Sequence, residues 1–245
     1  LIIDQLDSVS ETSGRNPEFF DCIHEIIEQA LNYPEMSILL ACRKFDLDND
    51  HRFRSLIGKQ GFVTVQIRHL PQETIKQFIK NDLGLDINKL NKKQMDLLSI
   101  PLHLSLLAEI SQDSDIDSID FETTKDLYDK FWERKQRLLR KRLGDSSGWV
   151  DVIFSLSNHM SEHQALIAPA SILDRYGILP EAMASEHILL KDGTKYAFFH
   201  QGFFDYAFAR NFCAQGYELL SFLKMDEQHL FRRAQVRQIL LHERD

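Results

Sequence analysis

The 245-residue chain is poor in several features that would define its class at once. It has only ten glycines, six prolines and three cysteines, and positive charge is in deficit, with 29 Lys and Arg against 37 Asp and Glu. Because 43% of the residues are hydrophobic and glycine and proline are sparse, a disordered chain is excluded. No apolar run approaches the roughly 18–20 residues that cross a bilayer. The formal charge of −8 argues against a general nucleic-acid binder, which would carry a basic surface.

The cysteines form neither a disulfide framework nor a zinc site. Cys22, Cys42 and Cys213 make no C-x-x-C pair, and three thiols cannot all be bridged. Cys22 and His24 have no further partner at metal-ligand spacing. No signal peptide is apparent, so we expect a cytoplasmic protein in a reducing environment, with no membrane partner.

The first part of the chain has the pattern of a strand, a helix and a second strand. Residues 1–3 and 38–42 are apolar without alternation, which predicts parallel strands buried on both faces. Between them, 18–32 has helical spacing, so the two strands would be joined by a right-handed crossover. The apolar face of this helix would consist of Phe19, Ile23, Ile26, Ile27 and Ala30. Charged residues 44–61 predict a loop, and the alternating segment 62–67 predicts a short, half-exposed strand.

Helical spacing dominates from residue 70 onward. The first of these helices would pack through Ile75, Phe78, Ile79 and Leu83. Pro101 divides the stretch 91–111 into two helices, because proline is tolerated at a helix start but not in its interior. A long helix is predicted over 123–143, and its basic residues between 130 and 142 are interpreted as a solvated face.

The last third combines helices with one hairpin. Helices are predicted near 149–162 and 169–176, and Asp192-Gly193 between apolar runs predicts a hairpin over 187–199. Helices followed by a hairpin resemble a winged-helix arrangement. From Phe203 onward the pattern is helical again, and the Phe and Leu positions up to residue 223 are interpreted as core.

One group of side chains suggests chemistry on phosphates. Ligands of open α/β sheets bind outside the carboxyl ends of the strands, where Asp4, Asp7 and Arg43 would project into one crevice. Asp4 would hold Mg²⁺ directly or through water, Asp7 would orient or deprotonate an attacking water, and Arg43 would pair with a terminal phosphate. In the alternative interpretation, the two acids cap the following turn and Arg43 begins a solvated loop.

Four stretches together resemble the STAND class of P-loop ATPases, and especially its NACHT branch within the AAA+ superfamily. Residues 1–7 (LIIDQLD) resemble the Walker B strand, and 38–43 (ILLACR) resemble the sensor 1 strand. Residues 98–104 (LSIPLHL) are similar to the proline-containing lid motif, and 198–207 (FFHQGFFDYA) are similar to the winged-helix signature. The four occur in the family's order and cover most of positions 1–210.

The resemblance implies a role for each matched residue. Asp4 would be the Walker B metal acid, Asp7 the catalytic acid and Arg43 the γ-phosphate sensor. Pro101 would contact the adenine, and His200 would touch the β-phosphate of ADP in the resting state and release it on activation. Alternatively, Pro101 is an ordinary helix-starting proline and His200 a core histidine satisfied by the backbone.

The sequence departs from the family pattern at several positions. Many NACHT domains have glycine where Gln5 stands and an acid where Ser8 stands, and Asp205 replaces the commoner glutamate. These differences bear on the rate of hydrolysis more than on nucleotide binding. The P-loop motif G-x-x-x-x-G-K-[ST] is absent, because Gly58-Lys59 is followed by Gln60 and preceded at the required spacing by Phe53.

The expected fold is a helix-dominated α/β plus α structure that contains the C-terminal half of a parallel-sheet P-loop NTPase core. We expect the C-terminal part of the core at 1–69, a helical lid at 70–120 with an acidic linker at 113–120, a winged-helix-like domain at 121–210, and the start of a further helical domain at 211–245.

The expected function is that of a regulatory ATP/ADP switch, as in a bacterial signalling or antiphage defence sensor. The chain would be the downstream part of a larger ATPase whose P-loop precedes Leu1. That parent would bind Mg²⁺ and ATP or ADP, self-associate in the ATP state, and sense a ligand or protein through other domains. This chain alone would be inactive and hold no nucleotide tightly. The alternative is a non-enzymatic winged-helix adaptor or DNA-binding regulator, although the net charge of −8 argues against nucleic acid as a partner.

Overall fold

The computed structural model describes residues 1–12, 16–58, 61–113, 119–144, 148–224 and 230–243. Helices dominate and the sheets are small, which confirms the predicted α/β plus α class at that level. The chain divides into two compact units, Leu1–Arg68 and His69–Asp245. Within the described ranges, no helix combines the length and apolar character that crossing a membrane requires.

The first unit is built on the predicted strand–helix–strand pattern. Strand β1 (Ile2–Ile3) and strand β2 (Leu39–Leu40) pair in parallel, and helix α1 (Phe20–Leu31) lies between them in the chain. The Leu6 N–H donates to the Ala41 carbonyl at 2.8 Å, so backbone pairing continues past the strands. The carboxyl ends of both strands are therefore held side by side.

Burial of this sheet on both faces was a wrong prediction. Ile3 and Leu40 pack against the core of the unit, whereas their neighbours Ile2 and Leu39 are 75% and 61% exposed. Ile2 and Leu39 are register partners and share one face, because successive side chains of a strand point to opposite sides. Within the described part of this unit, no second layer covers that face.

The predicted apolar face of helix α1 is confirmed at Ile23, Ile27 and Ala30 and wrong at its other two positions. Phe20, Ile27 and Ala30 are buried, whereas Phe19 and Ile26 are about half exposed. Phe19 belongs to a short 3-10 helix, Pro17–Phe19, that precedes α1. The tighter 3-10 turn rotates the start of the helix, so Phe20 rather than Phe19 enters the core.

The predicted loop at 44–61 is wrong, because the described part of it contains two helices. Helices α2 (Lys44–Asn49) and α3 (His51–Ile57) meet at Asp50, which ends the first and caps the second. Phe53 and Leu56 of α3 are buried in the core. The many charges in this stretch conceal the helical spacing of its few apolar residues.

Asp50 anchors this helix junction from a buried position. Its carboxylate accepts hydrogen bonds from the backbone N–H groups of Glu11 and Arg52, at 2.8 and 2.9 Å, and from the Arg52 guanidinium at 3.0 Å. Burial by itself would raise the pKa of Asp50, but the hydrogen bonds and the charge of Arg52 outweigh it and lower the pKa to about 2.

Acid should therefore loosen the first unit. Since the folded pKa of Asp50 lies below its ordinary value of 3.8, its stabilisation is complete above pH 3.8 and disappears as the pH falls through about 2. We expect Asp50→Ala to remove roughly 2 kcal/mol at neutral pH and to abolish this part of the acid sensitivity. NMR signals of α3 followed against pH and urea measure both effects. An unchanged acid profile in the variant would contradict the assignment.

The predicted strand at 62–67 is also wrong. The described sheet of this unit contains β1 and β2 only, and no strand is formed at 62–67. Val63, Val65 and Ile67 are 86%, 76% and 86% exposed, whereas Phe62 packs against the core. Alternating apolar residues suit a strand, but a strand also needs a neighbour for its backbone N–H and C=O groups.

The second unit begins with four helices whose order matches the prediction. They are α4 (Gln72–Asn81), α5 (Lys92–Leu98), α6 (Pro101–Ile110) and α7 (Thr124–Leu143). Ile75 and Ile79 are buried, Pro101 lies in the first turn of α6, and Thr123 caps α7. Most of the predicted acidic linker at 113–120 lies outside the described residues.

The basic residues of α7 do not all form a solvated face, so that prediction is wrong in part. The side chains of Arg134 and Lys135 are only 9% and 4% exposed, and both contact Glu109 of α6. Arg137 and Arg140 face solvent to a greater extent. A helix of this length turns through all directions, and the positions beside α6 are covered whatever their charge.

A three-stranded antiparallel sheet follows in the second unit. Helix α8 (Trp149–Glu162), strand β3 (Ala168–Pro169), a 3-10 helix (Ala170–Tyr176) and helix α9 (Leu179–Ser185) precede the hairpin of β4 (Leu189–Asp192) and β5 (Lys195–Phe198). The strand order is β3-β5-β4. The hairpin is confirmed, and its turn is the tight Gly193-Thr194 with Gly193 at φ +54°. Helix α9 was not predicted.

Helices α10 (Gln201–Ala214), α11 (Leu219–Lys224) and α12 (Leu230–Glu243) complete the unit. One hydrophobic core runs through it from Ile75 to Ile239. The core interpretation of the phenylalanines is confirmed, since all five between 203 and 222 are buried, whereas Leu220 is half exposed. The finer domain boundaries at 120 and 210 stay predictions.

Candidate functional site

The chain turns sharply where β1 ends. Asp4 is exposed, and one oxygen of its carboxylate accepts the Gln5 N–H at 2.8 Å. Gln5 has φ +53°, in the left-handed region that glycine adopts most easily. The turn leads into a 3-10 helix, Leu6–Val9, on which Asp7 is carried. The Asp4 carboxylate thus combines a local hydrogen bond with access to solvent.

The structure brings Asp7 and Arg43 together. The Arg43 Nε lies 3.2 Å from one carboxylate oxygen of Asp7, and the Arg43 backbone N–H donates to the other at 3.3 Å. The Asp7 side chain is 13% exposed and that of Arg43 is 52% exposed. Burial raises the pKa of the neighbouring Cys42 thiol, and the negative charges of Asp7 and Asp46 raise it further. The carboxyl ends of the two strands thus carry a paired acid and arginine beside an uncharged thiol.

This arrangement can exchange partners. About half of the Arg43 side chain faces solvent, so its guanidinium can contact an anion from outside. The two oxygens of Asp7 are engaged by the guanidinium and the backbone N–H of Arg43, so one of them would be uncovered when an anion draws the guanidinium away.

Among the described residues, one group of three side chains has ligand atoms close enough for a metal ion, and it lies elsewhere. The ligand atoms of Glu11, Asp50 and His51 are all within 4.8 Å of one another. Because Arg52 already occupies both oxygens of Asp50, a cation would have to displace a guanidinium. Asp4 does not belong to this group. Sequence reasoning missed the group, since Glu11 lies far along the chain from Asp50 and His51.

In the second unit, the two predicted nucleotide contacts lie at helix starts. Pro101 is exposed in the first turn of α6. His200 is the N-cap of α10, where its Nδ1 accepts the Gly202 N–H at 2.9 Å. Since Nδ1 is an acceptor, a neutral His200 carries its proton on Nε2. The Nε2–H of His200 can therefore donate a hydrogen bond to a neighbouring acceptor.

A second histidine, which sequence reasoning missed, acts on His200. Desolvation by the surrounding protein lowers the pKa of His200, and the charge of a protonated His103 would lower it further. Burial lowers the pKa of His103 too, although its hydrogen bond with the Leu97 carbonyl, at 2.8 Å, acts in the opposite direction. His103 stands two residues after Pro101, inside the stretch that resembles the lid motif, and this position was the available signal.

The capping role of His200 predicts a difference between two substitutions. His200→Ala should destabilise the second unit by about 1 kcal/mol, whereas His200→Asn should cost much less, because asparagine is among the best N-caps. Urea denaturation followed by circular dichroism measures both. Equal losses in the two variants would contradict the cap.

A dependence on pH should accompany this difference. Because the folded pKa of His200 lies below its ordinary value of 6.5, its stabilisation is complete above pH 6.5 and declines as the pH falls through the folded pKa. The asparagine variant should lose this component. The remaining dependence would come from groups such as His103 and His242, whose pKa values are also lowered by burial.

A scan against protein-family models finds no match for this chain, and a search of curated proteins finds no significant match. The family resemblance therefore rests on the four sequence stretches and stays a prediction.

Proposed function

We propose that this chain is part of a regulatory nucleotide-binding switch of the STAND class, similar to the NACHT ATPases. The observation that carries the proposal is the pair of Asp7 and Arg43 at the carboxyl ends of two adjacent parallel strands. Open α/β sheets bind their ligands at this edge. An exposed acid, a second acid and a half-exposed arginine are groups that Mg²⁺ and a terminal phosphate would use there.

The proposed roles follow from the state of each side chain. Asp4 is exposed and would hold Mg²⁺ directly or through water. Arg43 would leave Asp7 for the terminal phosphate, and Asp7, released from the guanidinium, would then orient or deprotonate water. The left-handed backbone of Gln5 supports the comparison with a Walker B motif, because many NACHT domains have glycine at this position of the motif.

The second unit would report which nucleotide is bound. Pro101 would contact the adenine, and the Nε2–H of His200 would donate to the β-phosphate of ADP. Since Nδ1 of His200 is occupied by the helix cap, the donor tautomer is prepared before any ligand arrives. Loss of this contact on exchange of ADP for ATP would free the winged-helix-like part and permit self-association.

The sequence contains no G-x-x-x-x-G-K-[ST] phosphate cradle, and we propose that another part of a longer protein supplies it. That protein would act as a cytoplasmic sensor in bacterial signalling or antiphage defence, with the sensed ligand bound by other domains. The chain alone should bind ATP weakly and not hydrolyse it. Micromolar ATP binding in calorimetry on the chain itself would contradict this part.

The test compares Arg43→Ala and Asp7→Asn with Arg54→Ala in the longer protein. Arg54 is an exposed arginine of α3 and serves as a matched control. We expect ATP turnover to fall by roughly 10- to 100-fold in the first two variants and to stay unchanged in the control. Arg43→Ala should change stability by less than about 1 kcal/mol, because its ion pair is half exposed. Normal turnover in both site variants would refute the proposal.

DNA binding is the second candidate, and the topology of the described sheet favours it. The order β3-β5-β4, with α8 and α9 beside it, is similar to a winged helix. The charge of α9 argues against DNA binding, because this helix contains Glu181 and no lysine or arginine. Salt-dependent binding of duplex DNA by the whole chain would favour this function over the first.

A further inference from the structure

The second unit contains a polar cavity unrelated to the residues discussed above. It has a volume of about 510 Å³ and lies between α8, the 3-10 helix Ala170–Tyr176 and the end of α10. The pocket is open to solvent over much of its extent, and its volume lies in the range of pockets that hold small molecules. Among its lining residues are one acid, Asp151, one base, Arg175, and three aromatic side chains, Phe154, Tyr176 and Tyr217; the remaining lining residues are polar and uncharged.

Arg175 supplies a positive charge that faces hydroxyls instead of acids. Its Nη2 donates to the Ser155 hydroxyl at 2.9 Å and to the Tyr176 hydroxyl at 2.5 Å. The Tyr176 hydroxyl in turn donates to the backbone carbonyl of Asp151 at 3.2 Å. In the part of the chain that the structure describes, no carboxylate lies within ion-pair distance of Arg175. The guanidinium is therefore positioned by neutral groups and available to an anion.

Asn211 supplies an acceptor that lacks a donor. The residue is 2% exposed, and its Nδ2 donates to Asn158 Oδ1 at 2.9 Å. Its own Oδ1 is buried and accepts no hydrogen bond from the described residues. Buried carbonyl oxygens are normally paired, and this one has almost no surface open to the cavity, so a ligand could reach it only if the Asn211 side chain moved.

We propose that this cavity binds a small zwitterion of the α-amino acid type, with an aromatic side chain. The carboxylate would lie on Arg175 and the ammonium group on the exposed Asp151. The side chain would lie along Phe154 and Tyr217, where aromatic rings stack favourably. One cation and one anion at the same cavity match a ligand that carries one of each. This inference does not rest on the nucleotide proposal and survives its failure.

Three small molecules test the chemistry on the whole chain by NMR titration. L-phenylalanine carries both charges, L-phenylalaninamide lacks the carboxylate, and 3-phenylpropanoate lacks the ammonium group. We expect saturable shifts with L-phenylalanine at a dissociation constant below about 1 mM, and at least roughly tenfold weaker binding of the other two. The shifts should concentrate on α8 and the end of α10.

Two variants and one control separate the site from nonspecific binding. Arg175→Gln and Asp151→Asn alter exposed residues and should each weaken L-phenylalanine binding by at least about tenfold. Arg140→Gln removes an exposed arginine of α7 that does not line the cavity, and it should bind normally. Absence of saturation with L-phenylalanine overturns the proposal. Equal binding by the Arg175→Gln and Arg140→Gln variants overturns it as well.

Discussion

Replacing Glu109 with alanine is expected to destabilise the second unit by about 3 kcal/mol. Glu109 accepts from Lys135 Nζ at 2.7 Å and from Arg134 Nε at 3.2 Å. Both cations are nearly buried, so removal of the shared carboxylate would leave two positive charges in a poorly solvated place. Arg134 would keep a hydrogen bond to Gln112, whereas Lys135, among the residues that the structure describes, would keep only the nearby ring of Phe131.

Urea denaturation followed by circular dichroism measures this loss. Glu133→Ala is the matched control, because Glu133 is an exposed acid of α7 whose pair with Arg137 should contribute less than about 0.5 kcal/mol. The double change Glu109→Met and Lys135→Met should recover part of the stability, since it removes a charge together with its counterion. A loss in Glu109→Ala no greater than in the control would show that the cations find other partners.

The Glu109 carboxylate also makes the stability of the second unit depend on pH, and the direction of this dependence can be derived. Burial raises the pKa of Glu109, but the hydrogen bonds and charges of Lys135 and Arg134 outweigh it, and the net pKa is lowered from 4.5. Its stabilisation is therefore complete above about pH 4.5 and is lost as the pH falls through the folded pKa. Glu109→Gln should flatten stability against pH in that window.

Gly202→Ala is the second substitution with a large expected effect, about 2–3 kcal/mol. A Cβ built at Gly202 would stand 2.5 Å from the Tyr128 hydroxyl oxygen and 3.2 Å from His200 Nδ1. Tyr128 is 1% exposed and packs on Phe203 and Tyr206, so its ring cannot move aside without disturbing the core. The glycine is required here by the close approach of the tyrosine.

A double-variant cycle checks this cause. Tyr128→Phe removes the hydroxyl, so Gly202→Ala should cost clearly less in the Tyr128→Phe background than alone. The comparison uses urea denaturation of all four proteins. If the cost of Gly202→Ala is the same in both backgrounds, the contact with Tyr128 is not the reason for it.

The sequence predicted elements best where local chemistry decides the backbone. Pro101 separates two helices because its ring lacks an N–H, and Asp192-Gly193 marks a hairpin because glycine adopts a positive φ. These rules need no knowledge of the rest of the chain. The same holds for α7, whose start at Thr123 and length are confirmed.

The wrong predictions concern segments whose structure depends on contacts with other parts of the chain. At 44–61 the charged side chain of Asp50 is buried and forms a helix cap, which a hydrophobicity pattern counts against a helix. Val63 and Val65 alternate as in a strand, yet no described strand lies beside them. Arg134 and Lys135 are buried because α6 packs beside them and supplies Glu109.

Part of the candidate site could be predicted from the sequence, because it depends on the order of two strands and not on packing. Parallel strands must end side by side, so the meeting of Asp7 and Arg43 followed from two apolar runs and their order in the chain. The effect of His103 on the pKa of His200 did not follow, because these residues come from separate helices. The cavity at Arg175 and Asn211 depends on packing around α8 and α10, which no local pattern describes.

The uneven placement of the indole side chains affects how unfolding can be observed. Trp132 and Trp149, the chain's two tryptophans, lie in the second unit with ring centroids 4.4 Å apart. The first unit has a single tyrosine, Tyr33, which is exposed, and a small core. Tryptophan fluorescence would therefore follow the melting of the second unit alone. If the small unit melts first, a calorimeter would record heat uptake at a temperature where the emission spectrum does not change.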